Sequence, residues 1–326
     1  MVVIIPRRQF LRLAGLATAA GVSRNAAAEA YPSRPVRWIV PFNAGGSTDI
    51  VTHIMCDWLS KRLGQQFIVE NKPGGGTNIA TEAAAHAAPD GYTLFLGVAT
   101  HAINPSLYKS LPFNFLKDFT LIAGVAELPL VMDGALSLPA KTPAEFIAYA
   151  KANPGKVNVA SFGTRTISHL AIELLKTSAG IDVVHVPYTG GAPMLTDLFS
   201  GRVQAGMDAL PNSLPHIENG SIRGLAILSG KRSPALPDTP TMGETIPGYD
   251  VTPWSAVVAP AGTPGEVVEI LNREVNAGLA DPGLKARFAE VGATPLVYSP
   301  AEIRTVVEKD TERWAKVVKA AGIEPE

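Results

Sequence analysis

The chain has 326 residues, of which 46% are hydrophobic and 17% charged, and this composition is typical of a folded protein with a sizeable core, not of a disordered or fibrous one. Its 28 basic and 29 acidic residues leave a net charge of −1, which argues against binding to nucleic acid or to an anionic membrane surface. The length predicts two domains, and the one cysteine, Cys56, excludes an internal disulfide and a thiolate zinc site.

Residues 1–30 are predicted to be an export signal, because a basic start precedes an uncharged apolar run at 13–22 and then small residues. The run is too short to cross a bilayer as a permanent helix, and Ala26-Ala27-Ala28 or Ala28-Glu29-Ala30 would suit a signal peptidase. The segment Arg7-Arg8-Gln9-Phe10-Leu11 resembles a twin-arginine motif, the alternative being the basic start of an ordinary secretory signal. Cleavage removes four basic residues and one acidic residue, so the mature chain is expected in the periplasm with a net charge of −4.

From residue 36 onward, short apolar strands alternate with loops and helices. The predicted strands lie at 36–40, 67–69, 93–96, 157–160, 183–186, 205–207 and 255–259. The predicted helices lie at 49–63, 78–87, 143–152, 167–179, 192–200, 264–280 and 300–321. This alternation predicts two α/β domains, each built on a mainly parallel sheet, and the pattern alone does not assign the last two helices to either domain.

Two glycine-bearing loops, 43–48 and 73–78, follow the first two predicted strands and lead into helices. Ligands bind at this edge of an open α/β sheet, and the N–H groups at a helix start favour an anion such as a carboxylate. A purely structural role for these loops is the alternative. Asp49 is expected to cap its helix, or else to hold a ligand hydroxyl or ammonium group. Neither loop has the pattern of a nucleotide P-loop or a dinucleotide fingerprint.

The sequence has no G-x-S-x-G elbow and no H-E-x-x-H pair. His53, Cys56 and Asp57 share one helical face, but three mixed ligands on one turn with no second cluster do not predict a metal site. The six histidines lie in different elements with no spacing that marks a catalytic triad. The chain is therefore expected to be no enzyme and to hold no cofactor or metal.

Several motifs together resemble one family, the Bug family of extracytoplasmic solute-binding proteins of tripartite tricarboxylate transporters. The motifs that carry the resemblance extend over the mature chain and are YPSRPVR at 31–37, PFNAGGSTD at 41–49, VENKPGGG at 69–76, APDGYTL at 88–94, SHL at 168–170, HVPYTGG at 185–191, PDTPT at 237–241 and APAGTP at 259–264.

The resemblance implies the type II periplasmic binding protein fold, in which two α/β lobes are joined by a hinge with the ligand cleft between them. It implies one lobe of residues 31–126 plus 250–326 and a second lobe of 127–249, with crossings near Ala126 and Tyr249. The implied function is capture of a small carboxylate and its delivery to the membrane permease subunits of such a transporter. Nucleic acid is not an expected partner, and a monomer is expected.

Carried over position by position, the resemblance implies ligand contacts on both lobes. The first lobe would contribute Ala44, Gly45, Ser47, Thr48, Gly76, Asn78, Thr100 and His101, and the second lobe Ser161, Gly163, Thr164, Thr166 and Asp208.

Arg165 departs from the family pattern, which usually has a small residue in the loop between 161 and 170. An arginine there would clamp a second carboxylate, which predicts a dicarboxylate or an aromatic acid as the ligand; the alternative is an arginine that faces solvent. Phe42 and Phe162 would supply an apolar wall or simply pack beside the loops.

Two other functions stay open on the sequence. An exported α/β hydrolytic enzyme would need catalytic groups that the motifs do not show. A receptor that presents its ligand to a membrane sensor would use the same fold and the same cleft.

Overall fold

The structure is a computed structural model that describes residues 31–326, so the export signal predicted over 1–30 lies outside it. Arg34–Glu326 form one unit that contains two β-sheets. The strands, in chain order, are β1 Val36–Val40, β2 Phe67–Asn71, β3 Thr93–Val98, β4 Phe119–Glu127, β5 Leu130–Gly134, β6 Asn158–Ser161, β7 Val184–Pro187, β8 Ala205–Ala209, β9 Arg223–Ile227, β10 Trp254–Pro260 and β11 Thr294–Pro295.

The helices are α1 Ser47–Leu63, α2 Asn78–Ala85, α3 Thr100–Leu107, α4 Phe115–Asp118, α5 Pro143–Ala152, α6 Ile167–Ala179, α7 Gly191–Phe199, α8 Leu210–Glu218, α9 Met242–Thr245, α10 Gly265–Ala280, α11 Pro282–Glu290 and α12 Pro300–Ala320. A short 3-10 turn, Gly75–Thr77, precedes α2. Every predicted helix and strand is present with shifts of a few residues at its ends. The pattern missed strands β4, β5, β9 and β11 and helices α3, α4, α8, α9 and α11.

The first lobe is built on a six-stranded sheet in the order β11-β4-β10-β3-β1-β2, and the second on a five-stranded sheet in the order β7-β6-β8-β5-β9. The prediction of mainly parallel sheets is wrong, because β10 runs antiparallel to β3 and β4, and β5 runs antiparallel to β8 and β9. The physical reason is the connection between the lobes: β5 enters the second lobe and β10 returns to the first, so each runs against its neighbours. Both sheets are therefore mixed.

The two crossings lie side by side. One leaves β4 after Glu127 and enters β5 at Leu130, and the other returns from the second lobe into β10 at Trp254. The Leu128 N–H donates to the Pro253 carbonyl at 3.1 Å, which joins the two crossing segments directly. Two adjacent extended segments of this kind form a hinge about which lobes can move.

The C-terminal helices pack on the first lobe. The side chain of Asn272 in α10 donates to the Ile122 carbonyl of β4 at 2.6 Å, and the Trp254 indole of β10 donates to Asp310 of α12 at 2.7 Å. Buried apolar side chains such as Ile303 and Trp314 fix α12 against this core. Within the residues that the structure describes, no helix is both long and apolar enough to cross a membrane.

Gly124 tests the packing of β4 most directly. A Cβ atom at this position would lie well inside contact distance of the Leu296 carbonyl oxygen, which is backbone and cannot swing away. We expect Gly124→Ala to lower the free energy of unfolding by about 2 kcal/mol or more.

The matched control is Gly265→Ala, because Gly265 begins α10 and nothing lies within 4 Å of its added Cβ. This control should be neutral or slightly stabilising. Thermal and urea unfolding measure both variants, and an unchanged stability in Gly124→Ala would contradict the packing described.

Candidate functional site

A cavity of about 390 Å³ lies between the lobes, and both contribute to its lining. The first lobe supplies the loop before α1, the end of β3 and the start of α3. The second lobe supplies the loops and first turns of α7 and α8 together with Phe162 and Ile167. The crossing segments close it with Leu128, Pro253 and Trp254. The cavity thus occupies the cleft at the hinge.

Five of the predicted contacts line this cavity, namely Ala44, Gly45, Ser47, Thr48 and Thr100. They share one structural origin, since each lies in a loop after a parallel strand or in the first turn of the helix that follows. Their three hydroxyls and their backbone N–H groups, apart from the Gly45 N–H that Asp49 accepts, are donors that the first lobe presents to the cavity.

Asp49 fixes the loop that carries these donors. Its Oδ2 accepts the Gly45 N–H at 2.8 Å and its Oδ1 accepts the Asn71 amide at 2.9 Å, with the side chain buried. Asp49 is absent from the cavity lining. The predicted helix cap is wrong, because α1 has no side-chain cap hydrogen bond and Asp49 instead accepts an N–H of the loop before the helix. Its role is structural in this different form.

Three predicted first-lobe contacts do not line the cavity. The Asn104 amide donates to the Asn78 side chain at 2.7 Å and to the Gly76 carbonyl at 3.4 Å, so both belong to a network beside α3. His101 is buried, lies 2.8 Å from the Thr81 hydroxyl and stacks on Phe115. Burial lowers the pKa of His101 to about 4, which keeps its imidazole neutral inside this core.

The predicted second-lobe contacts Ser161, Gly163, Thr164 and Thr166 lie beside the cavity rather than in its lining, whereas their neighbours Phe162 and Ile167 do line it. Their polar groups are partly used within the loop, since the Thr166 hydroxyl donates to the Gly163 carbonyl at 2.7 Å.

The Ser161 hydroxyl lies 2.7 Å from His185 Nε2, and the His185 ring stacks on that of His169 at 4.1 Å. Burial lowers the pKa of both histidines to about 4, and the nearby Lys176 ammonium adds to the effect for each. The serine is fully buried. This contact has the residue types of a catalytic pair but does not open into the cavity.

Asp208 lies directly behind the cavity wall. Its Oδ1 accepts the Ala209 N–H at 2.8 Å and the Asn212 amide at 3.1 Å, whereas its buried Oδ2 has no hydrogen-bond partner within the described residues. A Cβ on Gly191 would lie 2.7 Å from that Oδ2, so only glycine allows the first turn of α7 to approach the carboxyl so closely. Burial raises the pKa of Asp208 to about 7.

Arg165 forms an ion pair with Glu326. Its Nη1 lies 2.6 Å from Glu326 Oε1, and its guanidinium lies 5.7 Å from the Tyr108 ring. The residue has a positive φ of 60°, and it does not line the cavity. The arginine therefore links the second lobe to the C-terminal segment of the first, and its predicted role with a second carboxylate has no counterpart in this arrangement.

The lobes also meet at the mouth of the cavity. The Asn43 amide of the first lobe donates to the Thr189 carbonyl of the second at 2.5 Å. The Phe42 and Phe162 rings, which both line the cavity, meet edge to face at 6.1 Å. Phe42 and Phe162 thus both contribute to the apolar wall and pack against each other, so the two predicted alternatives hold together.

Helix N-termini converge on the cavity from both lobes. The first residues of α1, α3, α6, α7 and α8 contribute to the lining, and none of these helices has a side-chain cap in the described part of the chain. The helices that do have a side-chain cap, α4, α5, α9, α11 and α12, all begin outside the lining. Uncapped first turns leave N–H groups and a partial positive charge for an anion.

Phe162 apart, sequence reasoning missed the second-lobe residues that do line the cavity. Gly190 precedes α7 and Gly191 begins it, much as Gly45 and Gly46 precede α1, so the same loop-to-helix signal was available there. Asn212 and Trp254 gave no local signal, since their place in the lining depends on how α8 and the second crossing meet the cleft. No group of three or more His, Cys, Asp or Glu side chains within residues 31–326 is arranged to hold a metal ion.

Residues 51–323 match the family model for the tripartite tricarboxylate transporter family receptor. Protein BugT of Bordetella pertussis is 38% identical over 306 residues, which cover 93% of this chain and 94% of BugT.

Among solved structures, R. palustris Rpa4515 with adipate is 38% identical with a TM-score of 0.88, and the match covers 91% of this chain and 100% of that one. The periplasmic binding protein BugD is 36% identical with a TM-score of 0.86, again over 91% of this chain and 100% of the other. The chain has the two-lobe α/β fold of these binding proteins.

Proposed function

The chain belongs to the tripartite tricarboxylate transporter receptor family, and we propose that it captures an organic carboxylate between its lobes and delivers it to the membrane subunits of such a transporter. The observation that carries the proposal is the convergence of uncapped helix N-termini from both lobes on one cavity. A ligand held by donors of both lobes favours the closed arrangement, because those contacts are complete only there.

The lobe boundaries and the compartment are part of the proposal. We propose that residues 31–126 and 250–326 move as one lobe and residues 127–249 as the other, about the crossings joined at Leu128 and Pro253. The periplasm is the proposed compartment, supported by the likeness to the periplasmic binding protein BugD. We propose that the protein acts as a monomer without a cofactor.

The rival function is hydrolysis, which the contact between Ser161 and His185 would serve. That serine is fully buried and absent from the cavity lining, so a substrate in the cavity does not reach it. We therefore propose that the protein is a receptor and not an enzyme. If the protein converted a bound acid, and Ser161→Ala abolished that conversion, the hydrolase function would be established.

A ligand panel tests the proposal. The melting temperature of the purified protein is measured with mono-, di- and tricarboxylates, aromatic acids, amino acids and neutral sugars. A ligand at 100 times its Kd adds about 2.7 kcal/mol to the free energy of unfolding, enough for a shift of several degrees. We expect carboxylates alone to raise the melting temperature and to be recovered unchanged.

Ser47→Ala should lower the affinity for the carboxylate that the panel identifies about tenfold, since a hydroxyl donor to the carboxylate is lost. Ser110→Ala, at an exposed position outside the cavity, is the control and should bind normally. If no acid in the panel raised the melting temperature, the proposal would be contradicted.

A pH series tests the place of Asp208 behind α7. An anion at the first turn of α7 favours the protonated carboxyl, whose pKa burial raises to about 7, so binding should take up a proton. Raising the pH from about 6 to about 8 removes that proton, and carboxylate affinity should fall.

Titration calorimetry at several pH values measures this effect, with Asp208→Asn expected to abolish it. His216 also lines the cavity, so the comparison is made in a His216→Gln background. An affinity of the His216→Gln protein that does not change with pH would show that Asp208 is not coupled to the bound anion.

A further inference from the structure

An ion pair joins the two lobes outside the cavity. Arg165 lies in the loop between β6 and α6 of the second lobe, and its Nη1 lies 2.6 Å from Oε1 of Glu326. Neither residue contributes to the cavity lining. The hydrogen bond between Asn43 and Thr189 also crosses between the lobes, but Asn43 lines the cavity. The ion pair can therefore be broken without changing the cavity wall.

Glu326 is held on the first lobe by its backbone. Its N–H donates to the Leu107 carbonyl at 3.1 Å, and its carbonyl accepts the Lys109 N–H at 2.6 Å. Both partners lie at the end of α3 or just after it, and α3 follows β3 of the first sheet. The backbone of Glu326 thus belongs to the first lobe, whereas its side chain extends to the second.

Arg165 is held by the second lobe with its guanidinium largely withdrawn from water. Its backbone N–H donates to His169 Nδ1 at 3.2 Å, which fixes the residue to the first turn of α6. The side chain is only 16% exposed, and its buried Nε has no hydrogen-bond partner within residues 31–326. The Tyr108 ring of the first lobe lies 5.7 Å from the guanidinium. Without Glu326, a partly buried positive charge would be left unpaired.

The ion pair distinguishes a closed arrangement of the lobes from an open one. Movement about the crossings would separate Arg165 from Glu326 and return both charges to water. The Glu326 side chain is 67% exposed, so the attraction is that of a partly exposed ion pair, small enough for the lobes to open. A contact that exists in only one of two arrangements shifts the equilibrium toward that arrangement.

We infer that Arg165 and Glu326 form an interlobe latch, which holds the lobes closed and thereby raises the affinity for a ligand that neither residue contacts. The inference rests on the proposed function, because the latch acts on the closing of the same cleft. Arg165 is then a positioning residue. A direct contact between its guanidinium and the ligand is the alternative that the experiments must separate.

Small-angle X-ray scattering of the full protein without ligand tests the latch itself. Arg165→Gln removes the positive charge and keeps a Cβ at the same φ of 60°, and Glu326→Gln removes the negative charge. We expect each variant to be folded by circular dichroism and to have a larger radius of gyration than the wild-type protein. Equal radii in the wild-type protein and both variants would overturn the inference.

The matched control is Arg202→Gln. Arg202 pairs with Asp197 at 2.9 Å, and both residues lie in the second lobe. This variant loses the same charge as Arg165→Gln without breaking a contact between lobes, so its radius of gyration should equal that of the wild-type protein. An equal increase in Arg202→Gln would assign the effect to charge and contradict the latch.

Titration calorimetry with acetate, adipate and benzoate separates the latch from a ligand contact. Because apparent affinity follows the closed fraction, each single variant should lower the affinity for every acid that binds by one common factor, about twofold to fivefold. The double variant should lose no more than Glu326→Gln alone, since the same pair is broken. An arginine that contacts the ligand would be freed by Glu326→Gln, so tighter binding in that variant would overturn the inference.

The two measurements also separate the latch from the proposed function. If no carboxylate of the panel binds the wild-type protein, the proposed function is contradicted, and the scattering comparison still decides whether the latch exists. If carboxylates bind and the radii of gyration do not differ, the latch is overturned and the proposed function stands.

Discussion

The structure depends on how a buried anion is held without a positively charged side chain. Burying a carboxylate costs several kcal/mol unless hydrogen-bond donors replace its water, and the donors that we propose here are the first turns of helices. Those helices lack side-chain caps, whereas five helices that begin outside the cavity, α4, α5, α9, α11 and α12, have Asn, Thr, Asp or Ser caps. Two others that begin outside it, α2 and α10, lack side-chain caps as well. The omitted caps leave N–H groups free for the ligand. The hydrogen bond between Asn43 and Thr189 brings the donors of the two lobes together.

The mixed sheets follow from the same requirement. Two crossings join the lobes, and a chain that crosses and returns in this way places β5 and β10 antiparallel to their neighbours. The return crossing places Trp254 both at the hinge and in the cavity lining. Its indole N–H donates to Asp310 of α12. The second crossing therefore serves as hinge, cavity wall and link to the C-terminal helix.

Much of this architecture is predictable from sequence where the signal is local. The alternation of strands and helices, and the glycine loop before α1 with Ser47 and Thr48, depend on neighbouring residues and were predicted with small errors at the ends. The direction of β10 and the membership of Trp254 and Asn212 in the cavity depend on contacts between distant segments, so periodicity carries no information on them. Arg165 shows the same limit, since its partner Glu326 is brought to it only by the packing of α12 and the segment after it. The ligand contacts that the family resemblance implies at Gly76, Asn78 and His101 remain predictions. In the structure Asn104 bonds Gly76 and Asn78, and the Thr81 hydroxyl lies against His101 of α3.

A crystal structure of the full protein with the carboxylate that most raises its melting temperature tests the central claim most directly. We expect carboxylate oxygens within hydrogen-bond distance of the N–H groups and hydroxyls at Ser47 and Thr48 and of the N–H groups at Gly191 and Ala192, with Arg165 still paired with Glu326. A carboxylate bound instead by the Arg165 guanidinium, or one held outside the cavity between the lobes, would contradict it.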